Sequence, residues 1–193
     1  MVKQRKLLEK EGLDAEDERK NILDMVHEHP VLDVGTGDGW LAIRAARDYD
    51  IELISIDNDI VKLENARHNA KKKGLAGKIE FMCMDACEMC FPDHYFGTVM
   101  AYQTIHHSLY PFRVVDEMFR VCRERGTVII SELNREGFEC YAGIYYRYPG
   151  EKNRLRKSEE PVNIQNLCEY LEEKSSRVFV EKHGFTSLTY CKN

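Results

Sequence analysis

The sequence predicts an α/β domain, a mostly parallel sheet with helices on both faces. Three observations carry this. Short apolar runs alternate with helical patterns through the first two thirds of the chain, the rhythm of parallel βαβ units. The runs are nearly continuously apolar, as strands covered on both faces require. The first run ends in a glycine-rich turn, "VLDVGTGDG", which leads into a helix.

The elements follow in order. "HPVLDVG" (29–35) is predicted to be a strand, "WLAIRAARDY" (40–49) a helix and "IELISID" (51–57) a second strand. "DIVKLENARHNAKKKG" (59–74) has helical spacing and a glycine C-cap, with Lys71, Lys72 and Lys73 as a solvated end favoured by the helix dipole. "KIEFMCMD" (78–85) and "GTVMAYQT" (97–104) are the third and fourth strands. "PFRVVDEMFRVCRERG" (111–126) reads as a helix closed by Gly126, and "TVIISEL" (127–133) as a fifth strand. The period is lost over 134–161, expected to be a partly helical insertion. A helix over 162–174 and two strands turning near His183 complete the chain.

The 193 residues suit a single domain, with 43% hydrophobic and 32% charged residues and a net charge of −5. That balance argues against non-specific nucleic-acid binding. No apolar run reaches the ~20 residues of a membrane span, and "MVKQRKLLEKEGLDAEDERKN" lacks the apolar core of a secretory leader. With seven cysteines, an odd number, reduced thiols and a cytoplasmic location are expected.

Asp33, Gly35, Gly37 and Gly39 give D-x-G-x-G-x-G where the first strand meets the first helix. Glycine there permits a tight turn and close approach of a ligand to the backbone. The nicotinamide-dinucleotide pattern G-x-G-x-x-G would put its third glycine at Trp40, and no lysine of a P-loop follows. The acidic residue two before the first glycine suits a cationic ligand better than a pyrophosphate. Asp57 closes the second strand, where a carboxylate can take both ribose hydroxyls, and Asp85 closes the third, within reach of an adenine amino group.

"VLDVGTGDG", "ISIDND", "MDACEMCFPDHYFGTVMAYQTIHH" and "FRVCRERGTVIISEL" resemble the successive motifs of the class I S-adenosylmethionine-dependent methyltransferases, in particular the methyltransferase type 11 group, over residues 30–133. The resemblance implies a Rossmann-like, doubly wound, seven-stranded mixed sheet whose last strand is antiparallel. Around the matching region the chain is read as an N-terminal helical segment (1–28), a cofactor-binding core (29–133), a substrate-side insertion (134–161) and a C-terminal helix and strand pair (162–193). Gly35, Thr36, Gly37 and Gly39 would pass close to the methionine moiety of S-adenosyl-L-methionine, with Asp33 near its sulfonium and amino groups. Asp57 and Asn58 would serve the ribose, and Asp85 with Ala86 the adenine. Tyr102, Gln103 and Thr104 would line the methyl-transfer side. The chain has Gly97 where the family commonly has aspartate, and "AYQT" in place of the N/D-P-P-Y/F associated with amino-group methylation of adenine or glutamine.

Cys83, Cys87 and Cys90 stand at C-x3-C-x2-C, a spacing able to hold a cluster or zinc, with His94 as the nearby fourth ligand. Their place between the third and fourth strands favours reduced thiols and no metal. His106, His107 and Tyr102 are candidates for deprotonating an acceptor. Tyr141, Tyr145, Tyr146, Tyr148 and Arg147 suggest a substrate wall, 152–158 a solvated basic run, and a helix over 3–11 a cover for the cofactor or a partner-binding face. The expected activity is methyl transfer to a small molecule or protein side chain, with S-adenosyl-L-homocysteine as product. The alternatives are a non-catalytic cofactor-binding partner or sensor, and a metal-dependent redox protein built on the cysteine loop.

Overall fold

The computed structural model describes residues 15–140, 164–175, 177–183 and 186–192. The elements in chain order are α1 (Ala15–Asp24), β1 (Val31–Val34), α2 (Trp40–Asp48), β2 (Leu53–Asp57), α3 (Ile60–Lys72), β3 (Ile79–Cys83), β4 (Phe96–Tyr102), a 3-10 turn (Ile105–His107), α4 (Pro111–Val121), β5 (Cys122–Leu133), α5 (Ile164–Lys174), β6 (Val178–His183) and β7 (Thr186–Lys192). Residues 135–140 are helical.

The seven strands form one sheet in the order β3-β2-β1-β4-β5-β7-β6. β3, β2, β1, β4 and β5 are mutually parallel, and β7 lies antiparallel to both β5 and β6. The predicted doubly wound sheet with one antiparallel strand is therefore observed. Successive strand side chains point to opposite faces, and the core divides accordingly. Leu32, Val99, Val128 and Ile130 pack with Val115 and Met118 of α4 and Leu167 and Leu171 of α5. Val31, Met100 and Ile129 pack on the opposite face with Ile22 and Leu23 of α1 and Leu41, Ala42 and Ile43 of α2.

Local chemistry sets the element ends. The Asp59 carboxylate accepts from the amides of Val61 and Lys62 at 3.0 and 3.3 Å and caps α3. Gly74, at φ 72°, ends that helix as predicted. One boundary differs. The sequence predicts a helix through Gly126, but α4 stops at Val121 and the chain turns directly into β5. Phe96 pairs with Cys122 and Thr98 with Thr127, so residues 123–126 form an irregularity in the β4–β5 ladder, with Arg125 at φ 64°. Strand pairing overrides the helix preference of "RER".

The Gly97 departure has a packing cause. A Cβ there would lie 2.7 Å from the Glu28 carbonyl carbon and the His29 oxygen. These are backbone atoms, which cannot swing aside. Gly97→Ala is expected to cost about 1–3 kcal/mol, as overpacking does, read as a lowered Tm. An unchanged Tm would show that the 28–29 crossing is adjustable.

The helix over 3–11, the tyrosines with Arg147 and the 152–158 run lie outside the described residues, as does most of the insertion.

Candidate active site

The carboxyl ends of β1, β2 and β4, with the loops that follow β3 and β4, open onto a cleft of about 900 Å³. Ligands bind open α/β sheets at this edge. The glycine turn forms its floor. Gly35, Gly37 and Gly39 have φ of 88°, 53° and 80°, in the region that favours glycine. The amides of Gly35 and Thr36 donate to the Ile56 carbonyl at 2.8 and 2.9 Å, tying the turn to the end of β2.

Asp57 sits at that junction. One carboxylate oxygen accepts from the Gly37 amide at 2.9 Å and the other from the Asp59 amide at 3.0 Å. An ionised carboxylate has about four acceptor sites, so capacity remains for hydroxyls of a ligand. Asp85, exposed at the end of the β3 loop, accepts from the Cys87 amide at 2.8 Å.

Asp33 is buried. Its carboxyl accepts from Ser55 Oγ at 2.7 Å, and that hydroxyl lies 2.7 Å from Thr36 Oγ1. Burial raises its pKa, the Ser55 hydrogen bond opposes this, and the Asp57 charge adds to the rise, leaving it at about 7. The folded state thus holds the proton more tightly than the unfolded chain, whose aspartate titrates near 3.9. Asp33 favours folding most below pH ~4, and that contribution is lost as pH rises to about 7. Asp33→Asn should therefore gain stability relative to wild type with increasing pH, by roughly 1–3 kcal/mol at pH 8. Thermal melts of ligand-free protein between pH 4 and 8 check this; a constant difference would refute it.

The candidate residues do not all meet. Asp33, Gly35, Thr36, Gly37, Asp57, Asn58, Asp85, Ala86, Tyr102, Gln103, Thr104 and His107 line the cleft. Gly39 lies outside that lining, and a Cβ on it would meet Ala66 Cβ at 2.9 Å, so its smallness seats α2 against α3. His106 also lies outside. It is buried, with Nδ1 2.5 Å from Glu132 Oε2. A carboxylate only accepts, so Nδ1 carries the proton. Burial lowers the His106 pKa, but the Glu132 charge and hydrogen bond outweigh it and leave it raised. Burial likewise raises the Glu132 pKa, and His106 with the Ile105 amide outweighs that and leaves it lowered.

The cysteine loop does not gather its thiols around a common point. Cys83 Sγ is directed at the Asn58 carbonyl at 4.0 Å, and Cys87 Sγ lies 3.5 Å from Ser108 Oγ. Among the described residues no three His, Cys, Asp or Glu side chains are placed to hold a metal ion. His94 Nδ1 lies 3.2 Å from the Cys122 carbonyl oxygen.

α1 falls within the predicted N-terminal helical segment, but sequence reasoning missed what its side chains bring to the cleft. Glu18, buried, accepts from Tyr102 Oη at 2.7 Å and from Thr186 Oγ1 at 2.9 Å. Arg19 lines the cleft with its guanidinium 5.2 Å from the centre of the Tyr102 ring. The apolar pair Ile22 and Leu23 marks the side of α1 that packs on the sheet, but nothing local shows which polar neighbours reach the cleft. Lys62, Leu109 and Tyr110 were also not anticipated as lining residues.

A doubly wound sheet with a glycine turn after β1, a carboxylate ending β2 and another just beyond β3 defines a nucleoside-binding α/β protein. The chain belongs to the methyltransferase domain family, whose model matches residues 32–130, just over half its length. The cofactor of this family and fold is S-adenosylmethionine. The chain is 40% identical over 101 residues to phosphatidylethanolamine N-methyltransferase of Cereibacter sphaeroides, covering 52% of this chain and 48% of that protein. It is 33% identical over 102 residues to a sterol 24-C-methyltransferase of Neurospora crassa, covering 53% of this chain and 27% of the relative. The match thus spans about a quarter to a half of these curated relatives. In three dimensions the chain is similar to a SAM-dependent methyltransferase from Aquifex aeolicus, with a TM-score of 0.64, 17% identity and coverage of 91% of this chain and 89% of that one. At that identity the likeness establishes the fold. No helix among the described residues is long and apolar enough to cross a membrane.

Proposed function

We propose that the cleft binds S-adenosyl-L-methionine and that the chain transfers its methyl group to a small-molecule or protein side-chain acceptor, releasing S-adenosyl-L-homocysteine. The observation that carries this reading is Asp57, whose carboxylate braces the glycine turn and keeps acceptor capacity at the cleft. Asp57 and Asn58 take the ribose hydroxyls, and Asp85 with the Ala86 backbone takes the adenine edge. Gly35, Thr36 and Gly37 leave backbone space for the methionine chain. Asp33 lies on the sulfonium and ammonium side, and Arg19 supplies the cation for the carboxylate. The bound cofactor supplies an electrophilic methyl group on a sulfonium. Tyr102, Gln103 and His107 stand on the transfer side, where alignment and exclusion of water are the protein's contribution. His107 is the proposed group to take an acceptor proton, and Tyr102 can do so only by passing its own proton to Glu18.

A small molecule is the favoured acceptor class. The two relatives described above are named for a sterol and a phospholipid amine, so the shared core serves the donor while the acceptor varies.

Calorimetric titration of S-adenosylmethionine into chelator-treated protein tests donor binding. Micromolar affinity supports the reading, and no binding to metal-free protein overturns it. Detection of S-adenosylhomocysteine across a panel of hydroxyl, amine and carbon acceptors then tests transfer. Binding without product from any acceptor would support a cofactor-binding protein instead.

A further inference from the structure

Glu132 lies in β5, outside the cleft lining, yet its buried carboxylate holds three consecutive residues of the loop that follows β4. Oε1 accepts from the Thr104 amide at 3.0 Å and the Ile105 amide at 2.7 Å. Oε2 accepts from His106 Nδ1 at 2.5 Å. Amides at the start of a short 3-10 turn have no partner within the turn, and here one side chain from the neighbouring strand serves two of them. His106 is fixed from further directions. Its ring lies 4.0 Å, centre to centre, from that of His107 and 6.2 Å, edge-on, from that of Phe138.

The held loop is the cleft wall itself. Of the clamped residues Thr104 lines the cleft, with Gln103 on one side of them and His107 and Ser108 on the other. Thr104 also touches the floor, because a Cβ on Gly35 would lie 2.1 Å from Thr104 Oγ1. Thr104 therefore fills the space over Gly35 where a side chain would lie, and Glu132 holds the Thr104 amide. Burial makes this arrangement costly to disturb, since a lost carboxylate would leave two amides and an imidazole N–H without their partner.

We propose that Glu132 is a positioning residue for the cofactor site, acting through the Thr104–His106 backbone to set the wall against which the methionine end of S-adenosylmethionine rests. The role rests on the cofactor reading given above. Glu132 touches no ligand itself.

The two carboxylate oxygens do different work, which allows an isosteric test. In Glu132→Gln the amide oxygen can still take both backbone amides, while its NH2 can donate to a His106 ring that has moved its proton to Nε2. Glu132→Ala loses all three bonds. Dissociation constants for S-adenosylmethionine and S-adenosylhomocysteine would be measured by calorimetry, at a temperature where thermal melts show each variant folded. The Thr104 and Ile105 amides would be followed in parallel by hydrogen exchange. Glu132→Ala is expected to weaken both ligands ten-fold or more and to deprotect both amides. Glu132→Gln should stay within about three-fold of wild type and keep that protection. If Glu132→Ala lowers Tm but leaves both affinities unchanged, Glu132 only stabilises the fold and the proposal fails. Should that variant not fold, Glu132→Gln and Glu132→Asp decide: a shortened aspartate that binds as tightly as wild type overturns the clamp. If wild type binds neither ligand, the cofactor reading fails, while amide protection that is unaffected by the substitutions sinks the clamp separately.

Discussion

Asp57→Ala should weaken S-adenosylmethionine about ten- to a hundred-fold in calorimetric titration. Two contributions add. The ribose hydroxyls lose a charged acceptor, and hydrogen bonds to charged groups are worth about 1.5–3 kcal/mol. The Gly37 and Asp59 amides also lose the carboxylate that spans the turn and the start of α3. A tenfold change corresponds to about 1.4 kcal/mol, so even one such bond exceeds the threshold. Adenosine as a ligand isolates the first contribution, because it keeps the ribose and lacks the methionine chain. Unchanged affinity for both ligands, in protein that melts as wild type, would remove Asp57 from the site.

Gly35→Ala should be more damaging still, with cofactor binding lost from the measurable range. The new methyl would sit 2.1 and 2.3 Å from Thr104 Oγ1 and Cγ2, at a φ of 88° that side chains rarely adopt. Thr104 cannot yield easily, since its amide is held by Glu132 and its hydroxyl donates to the Tyr102 carbonyl at 3.1 Å. Pairing the substitution with Thr104→Gly removes the clash but leaves the backbone strain, so partial recovery of binding is expected. Full binding by Gly35→Ala alone would mean that the turn and the β4 loop are not in the contact described.

These predictions divide along what the sequence made legible. The βαβ rhythm is local, with each strand and helix written in its own period, and the glycine turn and the aspartates at the strand ends need only sequence neighbours to be seen. The Glu132 clamp is different in kind. Its partners lie 26 to 28 residues away, and "SEL" at the end of a strand carries no mark of which loop it will face. His106 and His107 read alike because both follow the fourth strand, yet the 3-10 turn buries the first and leaves the second lining the cleft. Gly39 read as a ligand contact by its place in the motif, whereas glycine is required there by its φ of 80° and by Ala66, on a helix whose packing angle no local pattern states. The boundary between α4 and β5 was misplaced for the same reason. Pairing with β4 set it, against the preference of the residues concerned.

The Glu18 contacts bear on how the protein is made. Its carboxylate joins Tyr102 on β4 to Thr186 on β7, residues separated from it by 84 and 168 positions. As the chain leaves the ribosome, the glycine turn, Asp57 and Asp85 can assemble while β7 is still unsynthesised. Tyr102 and the packing of Ile22 and Leu23 can seat α1 before β7 emerges, while the second Glu18 oxygen gains its partner only with Thr186. One tie that orients the helix beside the cleft is thus made only once the sheet has received its antiparallel member.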